Sequence, residues 1–149
     1  MIPKIIHYCW FGRKPLPRLA KKCIKSWKKY LPDYRIIEWN EDNFDVNCIP
    51  YTAEAYAAKK YAFVSDYVRF WAMYNHGGLY FDTDVELIRP IDDLIARGPF
   101  MGIERYVAPS VGGRMIFVAP GLGICAAPGN SVFKDMLDMY EVTSFYKNG

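Results

Sequence analysis

Two aspartates one residue apart, Asp82 and Asp84 in "GGLYFDTD", follow the apolar run Leu79, Tyr80 and Phe81. Asp is depleted in strands and seldom buried without a partner. An i, i+2 spacing in extended chain sets both acids on one face, where they repel unless a cation or proton intervenes. Three readings fit. A hard divalent cation, Mn²⁺ or Mg²⁺, takes one or two carboxylates and completes its shell with water and substrate phosphates. A haloacid-dehalogenase-type phosphatase places Asp-x-Asp after a hydrophobic strand, with Asp82 as nucleophile and Asp84 as acid/base. Alternatively, the acids face solvent or cap the next turn.

A second polar group lies just upstream. In "FVSDYVRF", Asp66 and Arg69 are spaced i, i+3 and Ser65 and Arg69 i, i+4, so the three share a helix face amid Phe63, Val64, Tyr67 and Phe70. A plain Asp–Arg ion pair is the simplest account of them. A third group, "GLGICA" at Gly121–Ala126, satisfies G-x-G-x-x-A, but Pro128 and Gly129 prevent the helix that a dinucleotide fingerprint must open. Those glycines instead let backbone approach a bound molecule closely, or form a turn.

The elements that must position these residues read as alternating strands and helices. A strand over Ile2–Trp10 precedes a basic helix entered through Pro15 and Pro17 and stopped before Pro32. Its apolar face is Leu19, Cys23, Trp27, Tyr30 and Leu31. "YRIIEW" is a second strand, "NEDNFDVNCIP" a polar loop, and Tyr51–Asn75 an Ala-rich helix with an aromatic face, ended by Gly77 and Gly78. "VELI" follows the acid pair. A short turn or helix at "IDDLIARG" leads to strands at "FMGIE", "MIFV" and "GICAA". Asn130 caps a last helix whose Phe133, Met136, Leu137 and Tyr140 face inward. The alternation predicts an α/β fold with a mostly parallel sheet.

At 149 residues, with 52% hydrophobic and 17% aromatic content, the chain suits one globular domain over residues 1–149. Its longest apolar runs are too short to span a bilayer, and its first residues do not read as a signal peptide, so a cytoplasmic location is the expectation. Cys9, Cys23, Cys48 and Cys125 form no Cys-x-x-Cys pair and read as reduced, mostly core thiols. Ten of the 19 Lys and Arg fall within residues 1–40, six of them on the basic helix. They form either a solvated face or a patch that rests on anionic lipid or draws in anionic substrates. No nucleic-acid-binding signature accompanies them, so nucleic acid is not an expected partner.

Taken together, "FVSDYVRFWAMYNHGGLYFDTDV" resembles the Asp-x-Asp sugar-binding region of glycosyltransferases related to yeast α-1,6-mannosyltransferase, bacterial capsular-polysaccharide transferases and the large clostridial glucosylating toxins, a family 32-like group. The shared pattern is Ser-Asp-x-x-Arg, then Gly-Gly-hydrophobic-Tyr-hydrophobic-Asp-x-Asp. "IPKIIHYCWFG" is similar to that family's opening strand. The resemblance covers residues 1–90 best. It implies a GT-A fold, a Rossmann-like sandwich in which a nucleotide-sugar lies across the carboxyl ends of the strands. It further implies that Asp84 ligates Mn²⁺ or Mg²⁺ and that Asp82 reaches the donor ribose or sugar and the metal shell. Asp66 and Arg69, with Ser65 beside them, hold the donor sugar and diphosphate, and Trp10 stacks on the base. The implied activity is retaining transfer from a UDP- or GDP-linked sugar to a saccharide or lipid-linked saccharide acceptor, in surface polysaccharide synthesis at the inner face of the membrane. Family members are longer, so the chain reads as such a domain lacking its C-terminal part, and a non-catalytic nucleotide-sugar-binding remnant is the further alternative.

Overall fold

A computed structural model describes residues 1–108 and 113–147. In chain order the elements are β1 (Ile5–Cys9), α1 (Arg18–Tyr30), β2 (Arg35–Trp39), α2 (Pro50–Ala57), α3 (Tyr61–His76), β3 (Gly78–Tyr80), α4 (Asp92–Ala96), β4 (Phe100–Met101), β5 (Ile103–Ala108), β6 (Gly113–Val118), β7 (Ile124–Ala126) and α5 (Ser131–Glu141). The central sheet has the order β2-β1-β3-β7-β4. β1 is parallel to β2 and β3, and β7 is antiparallel to both β3 and β4, so one strand of the five is reversed. This is the mixed, mostly parallel α/β sheet that the alternation predicts.

Burial on both faces explains why the central strands are apolar without interruption. Ile6, Tyr8, Leu79 and Cys125 point to one face and pack with Cys23 and Trp27 of α1 and with Leu31 just after it. Cys9, Tyr80, Ile124 and Ala126 point to the other and pack with α3 and with Phe133 and Leu137 of α5. β5 and β6 pair with each other in a separate two-stranded sheet.

Several sequence expectations are corrected in detail. The first strand occupies Ile5–Cys9, not Ile2–Trp10. The helix expected over Tyr51–Asn75 is two helices, because Lys59 takes a left-handed conformation at φ 58°. The N–H of Lys59 donates to Tyr56 and that of Lys60 to Ala55, both at 2.9 Å, a Schellman ending built without glycine. "FMGIE" breaks at Gly102, where a Cβ would stand 2.8 Å from Leu122 Cβ and 2.9 Å from Ala119 O. Leu19 and Met136 are exposed rather than inward, the buried stripe of α1 running instead through Ala20, Cys23, Ser26 and Trp27. Cys9, Cys23 and Cys125 are buried free thiols, and Cys48 is exposed.

"VELI" forms no strand but a segment pinned to α1. The indole N–H of Trp27 donates to Val85 O (2.8 Å), the Leu87 N–H donates to Ser26 Oγ (2.9 Å), and Lys22 Nζ bonds Glu86 (2.8 Å). α1 therefore fixes the chain immediately after the acid pair.

Candidate functional site

Neighbouring parallel strands bring the site together. Pairing of Ile6 with Leu79 and His7 with Tyr80 sets the ends of β1 and β3 side by side, and Phe81 N–H continues the ladder to His7 O at 3.2 Å. His7 reinforces the junction. It is fully buried, donates from Nε2 to Gly77 O (2.8 Å), and accepts the Trp39 indole N–H at Nδ1 (3.1 Å). Both ring nitrogens are used by the neutral tautomer, and burial, the largest influence, holds the pKa down at about 4. The His of the opening motif thus supports the turn that launches the Asp-x-Asp strand.

Beyond Phe81 the extended chain ends. Val85 N–H donates to Asp82 O at 3.1 Å, closing a four-residue turn over Asp82, Thr83, Asp84 and Val85. The acids are therefore turn residues, which corrects the reading of both on one face of a strand. Asp84 is exposed, whereas the Asp82 side chain is 39% exposed and anchored. Asp82 Oδ1 accepts the Tyr80 hydroxyl (2.8 Å) and lies 3.5 Å from Arg69 Nη2. The backbone N–H of Asp82 donates to Gly121 O at 2.8 Å. Glycine at 121 leaves the room that the acid occupies, since a Cβ there would stand 2.0 Å from Asp82 Oδ2.

Arg69 sits at the centre of the polar cluster. Its side chain is only 10% exposed, pairs with Asp66 at 2.6 Å, and lies 5.4 Å above the Tyr80 ring. Burial opposes the cation, but Tyr80, Asp82 and Asp66 outweigh it and keep the guanidinium above its ordinary pKa. Burial likewise raises the Asp66 carboxyl, only partly offset by Arg69. Among the described residues, the buried Nε of Arg69 meets no hydrogen-bond acceptor. The Cys9 thiol beside this cluster is pushed up to about 12 by burial, so it is a packing group and not a thiolate nucleophile.

Two cavities meet at Arg69, Asp82 and Asp84. One, of about 390 Å³, runs from Trp10, Phe11 and Lys14 past Ser65 to the acid pair. The other, of about 570 Å³, holds Asp66, Glu86, Glu104 and the Pro120–Leu122 turn. Ser65 and Asp66, expected to act together, thus flank Arg69 in different cavities, and the Ser65 hydroxyl is turned back to Tyr61 O (3.1 Å). Trp10, partly buried, lies just past β1, and its N–H donates to Lys14 O at 2.6 Å. A third hollow of about 370 Å³, between Trp10 and Glu38, Asn40 and Asp42, continues from it.

Among the described residues no group of three or more His, Cys, Asp or Glu side chains forms a metal cage. An exposed Asp84 beside an anchored Asp82 fits a hard cation of the kind that relies on substrate phosphates and water for its remaining ligands. Sequence reasoning missed Tyr80 and Lys14 as site residues; the turn it offered for Gly121 is observed at Pro120–Leu122, but the contact of Gly121 with Asp82 was not foreseen. Tyr80 was visible as the Tyr before Phe81 in the motif, while the contact of Gly121 with Asp82 joins segments 39 residues apart in sequence, a pairing no local pattern encodes.

Relatives sharpen the picture. The chain is 32% identical over 98 residues to inositol phosphoceramide mannosyltransferase 3 of Schizosaccharomyces pombe, covering 63% of this chain and 27% of that protein. It is 28% identical over 105 residues to a mannosyl phosphorylinositol ceramide synthase of Saccharomyces cerevisiae, covering 68% and 27%. The chain thus spans about a quarter of the length of these relatives. Among solved structures, the PaToxG glycosyltransferase superposes with a TM-score of 0.66 at 21% identity, over 92% of this chain and 59% of that one. That likeness gives the fold as GT-A. Residues 17–101, which include Ser65, Asp66, Arg69, Asp82 and Asp84, match the family described as the glycosyltransferase sugar-binding region containing the DXD motif, and the chain belongs to that family.

Proposed function

We propose that the chain is the donor-binding core of a retaining, metal-dependent glycosyltransferase. It moves a sugar from a UDP- or GDP-linked donor to a saccharide or lipid-linked saccharide acceptor, in surface polysaccharide synthesis at the cytoplasmic face of a membrane. One observation carries this reading: Arg69 and the two acids stand where two cavities join, with Trp10 lining the far part of the first. A donor laid across this junction has its base near the indole, its diphosphate beside Arg69 and the acid pair, and its sugar toward Asp66.

Asp84 and Asp82 are the residues that would hold Mn²⁺ or Mg²⁺, and a cation there supplies electrostatic stabilisation of the departing diphosphate. Arg69 adds a fixed positive charge whose orientation is set by Asp66 and by the Tyr80 ring. Tyr80, kept protonated by burial, donates to Asp82 and holds its carboxylate in place. Asp66 is placed to accept from donor-sugar hydroxyls on its side of Arg69.

Family membership leaves the dehalogenase-type phosphatase without support. A non-catalytic nucleotide-sugar-binding role is the second reading, favoured by a donor set of two carboxylates among the described residues. Mass spectrometry of the protein mixed with Mn²⁺, UDP- and GDP-sugars and an acceptor panel separates the two. The relatives' names make mannosyl donors the first to try. Turnover of one donor supports the enzyme, and saturable binding without turnover favours the second reading. Absence of both binding and turnover contradicts the proposal.

A further inference from the structure

The cations of α1 occupy one side of the helix. At 100° per residue, Lys28, Lys21, Lys25, Arg18, Lys29 and Lys22 fall within about 120° of arc, opposite the buried Ala20, Cys23 and Trp27. No acid lies on α1, whereas the other 13 Lys and Arg of the chain face 16 Asp and Glu. Among the described residues, Lys22 is the one α1 cation in an ion pair. The others leave an unneutralised row along a 13-residue helix.

An apolar edge borders that row. Leu19 is 55% exposed and Ile88 81% exposed, and a groove of about 430 Å³ runs between α1 and the 85–88 segment, lined by Lys22, Lys25, Lys29, Tyr30 and Ile88. Ile88 is held beside the lysines by the Trp27–Val85 and Ser26–Leu87 hydrogen bonds. Cations next to a fixed, protruding aliphatic side chain match a bilayer surface: the charges meet anionic headgroups while the aliphatic group enters the boundary below them. Glu86 lines both this groove and the cavity containing Asp82 and Asp84.

We propose that the α1 face and the adjoining 85–88 segment dock the protein on an anionic lipid bilayer, with the mouth of the site beside the membrane surface. This docking is independent of the transfer reading, because it needs neither donor nor metal.

The test is vesicle co-sedimentation without nucleotide, comparing pure phosphatidylcholine with vesicles in which about a third of the lipid is phosphatidylglycerol. The anionic vesicles should retain the protein, phosphatidylcholine should not, and about 1 M salt should release it. Each basic residue at such a surface contributes about fivefold in partitioning, so a Lys21→Gln, Lys25→Gln, Lys28→Gln triple variant should lose about a hundredfold. A charge-matched control, Lys4→Gln, Lys59→Gln, Lys134→Gln, should keep wild-type retention. The single Lys25→Gln variant should lose about fivefold and serves if the triple variant does not fold. Equal retention on both vesicle types, full retention of the α1 variant, or an equal loss in the control overturns the proposal. So does a triple variant that keeps vesicle binding but loses nucleoside diphosphate affinity, which would make the face a guide for anionic substrates.

Discussion

Gly121 lies against the carboxylate of Asp82: a Cβ on Gly121 would stand 2.0 Å from Asp82 Oδ2, and its carbonyl accepts the Asp82 N–H at 2.8 Å. A single methyl group at residue 121 must therefore displace the anchored acid. Gly121→Ala should introduce about 1–3 kcal/mol of overpacking strain. Because Asp82 is half-exposed and can swing outward, the loss should show mainly in affinity for a nucleoside diphosphate with Mn²⁺. A lowered melting temperature with unchanged affinity would assign Gly121 a purely structural part.

Wild-type stability should fall on mild acidification because of His7. The unfolded chain binds this proton below about pH 6.5, the native protein only below about 4. Between these values the unfolded state carries more protons, so stability present above the upper value is lost as pH falls toward the lower one. The expected loss from pH 7 to pH 5 is about 2 kcal/mol. Urea titrations of wild type and His7→Gln at both pH values check this. The variant should be less stable at neutral pH, with a flatter pH dependence, and an unchanged slope would exclude His7 as the titrating group.

Trp10 lies at the junction of two cavities and is only partly buried. Trp10→Leu should weaken nucleotide binding by about 1–3 kcal/mol, the scale of a base stacked on an aromatic ring. Calorimetric titration with UDP and GDP measures it. If the variant unfolds readily while its native fraction binds as wild type does, the indole is a packing group.

Lys59 offers a test of the helix break. Lys59→Gly should stabilise the protein by about 1 kcal/mol, because glycine takes the left-handed conformation without steric cost. Destabilisation of that size, read from chemical denaturation, would mean that the Lys side chain makes up for its own strain.

The β1 and β3 runs, α1 and α5 were legible because uninterrupted apolar strands and one-sided helices are local patterns. The Lys59 break was not, since no glycine marked it and the two N–H groups that close it follow from the three-dimensional path. The acids and the Ser65–Asp66–Arg69 group stand out by type and spacing, whereas Trp10 is singled out only by the family resemblance of the opening strand. The arrangement of these residues was not legible: the turn at Asp82 depends on Val85 folding back, and the partition of Ser65 from Asp66 depends on where Arg69 enters the core. Trp27 read as a core residue, and its hydrogen bond to Val85 spans 58 positions.

The central claim is that Asp82 and Asp84 hold a divalent cation against a nucleoside diphosphate, and a melting-temperature comparison of wild type and Asp84→Asn tests it most directly. UDP or GDP with Mn²⁺ should raise the wild-type melting temperature, with stabilisation of about 2.7 kcal/mol at a hundredfold excess over Kd, and EDTA should abolish the rise. Asp84→Asn keeps the side-chain volume, so its metal-free melting temperature should match or exceed that of wild type while the ligand-induced rise disappears. An equal rise in EDTA, or a full rise in Asp84→Asn, would contradict the metal-binding role of the acid pair.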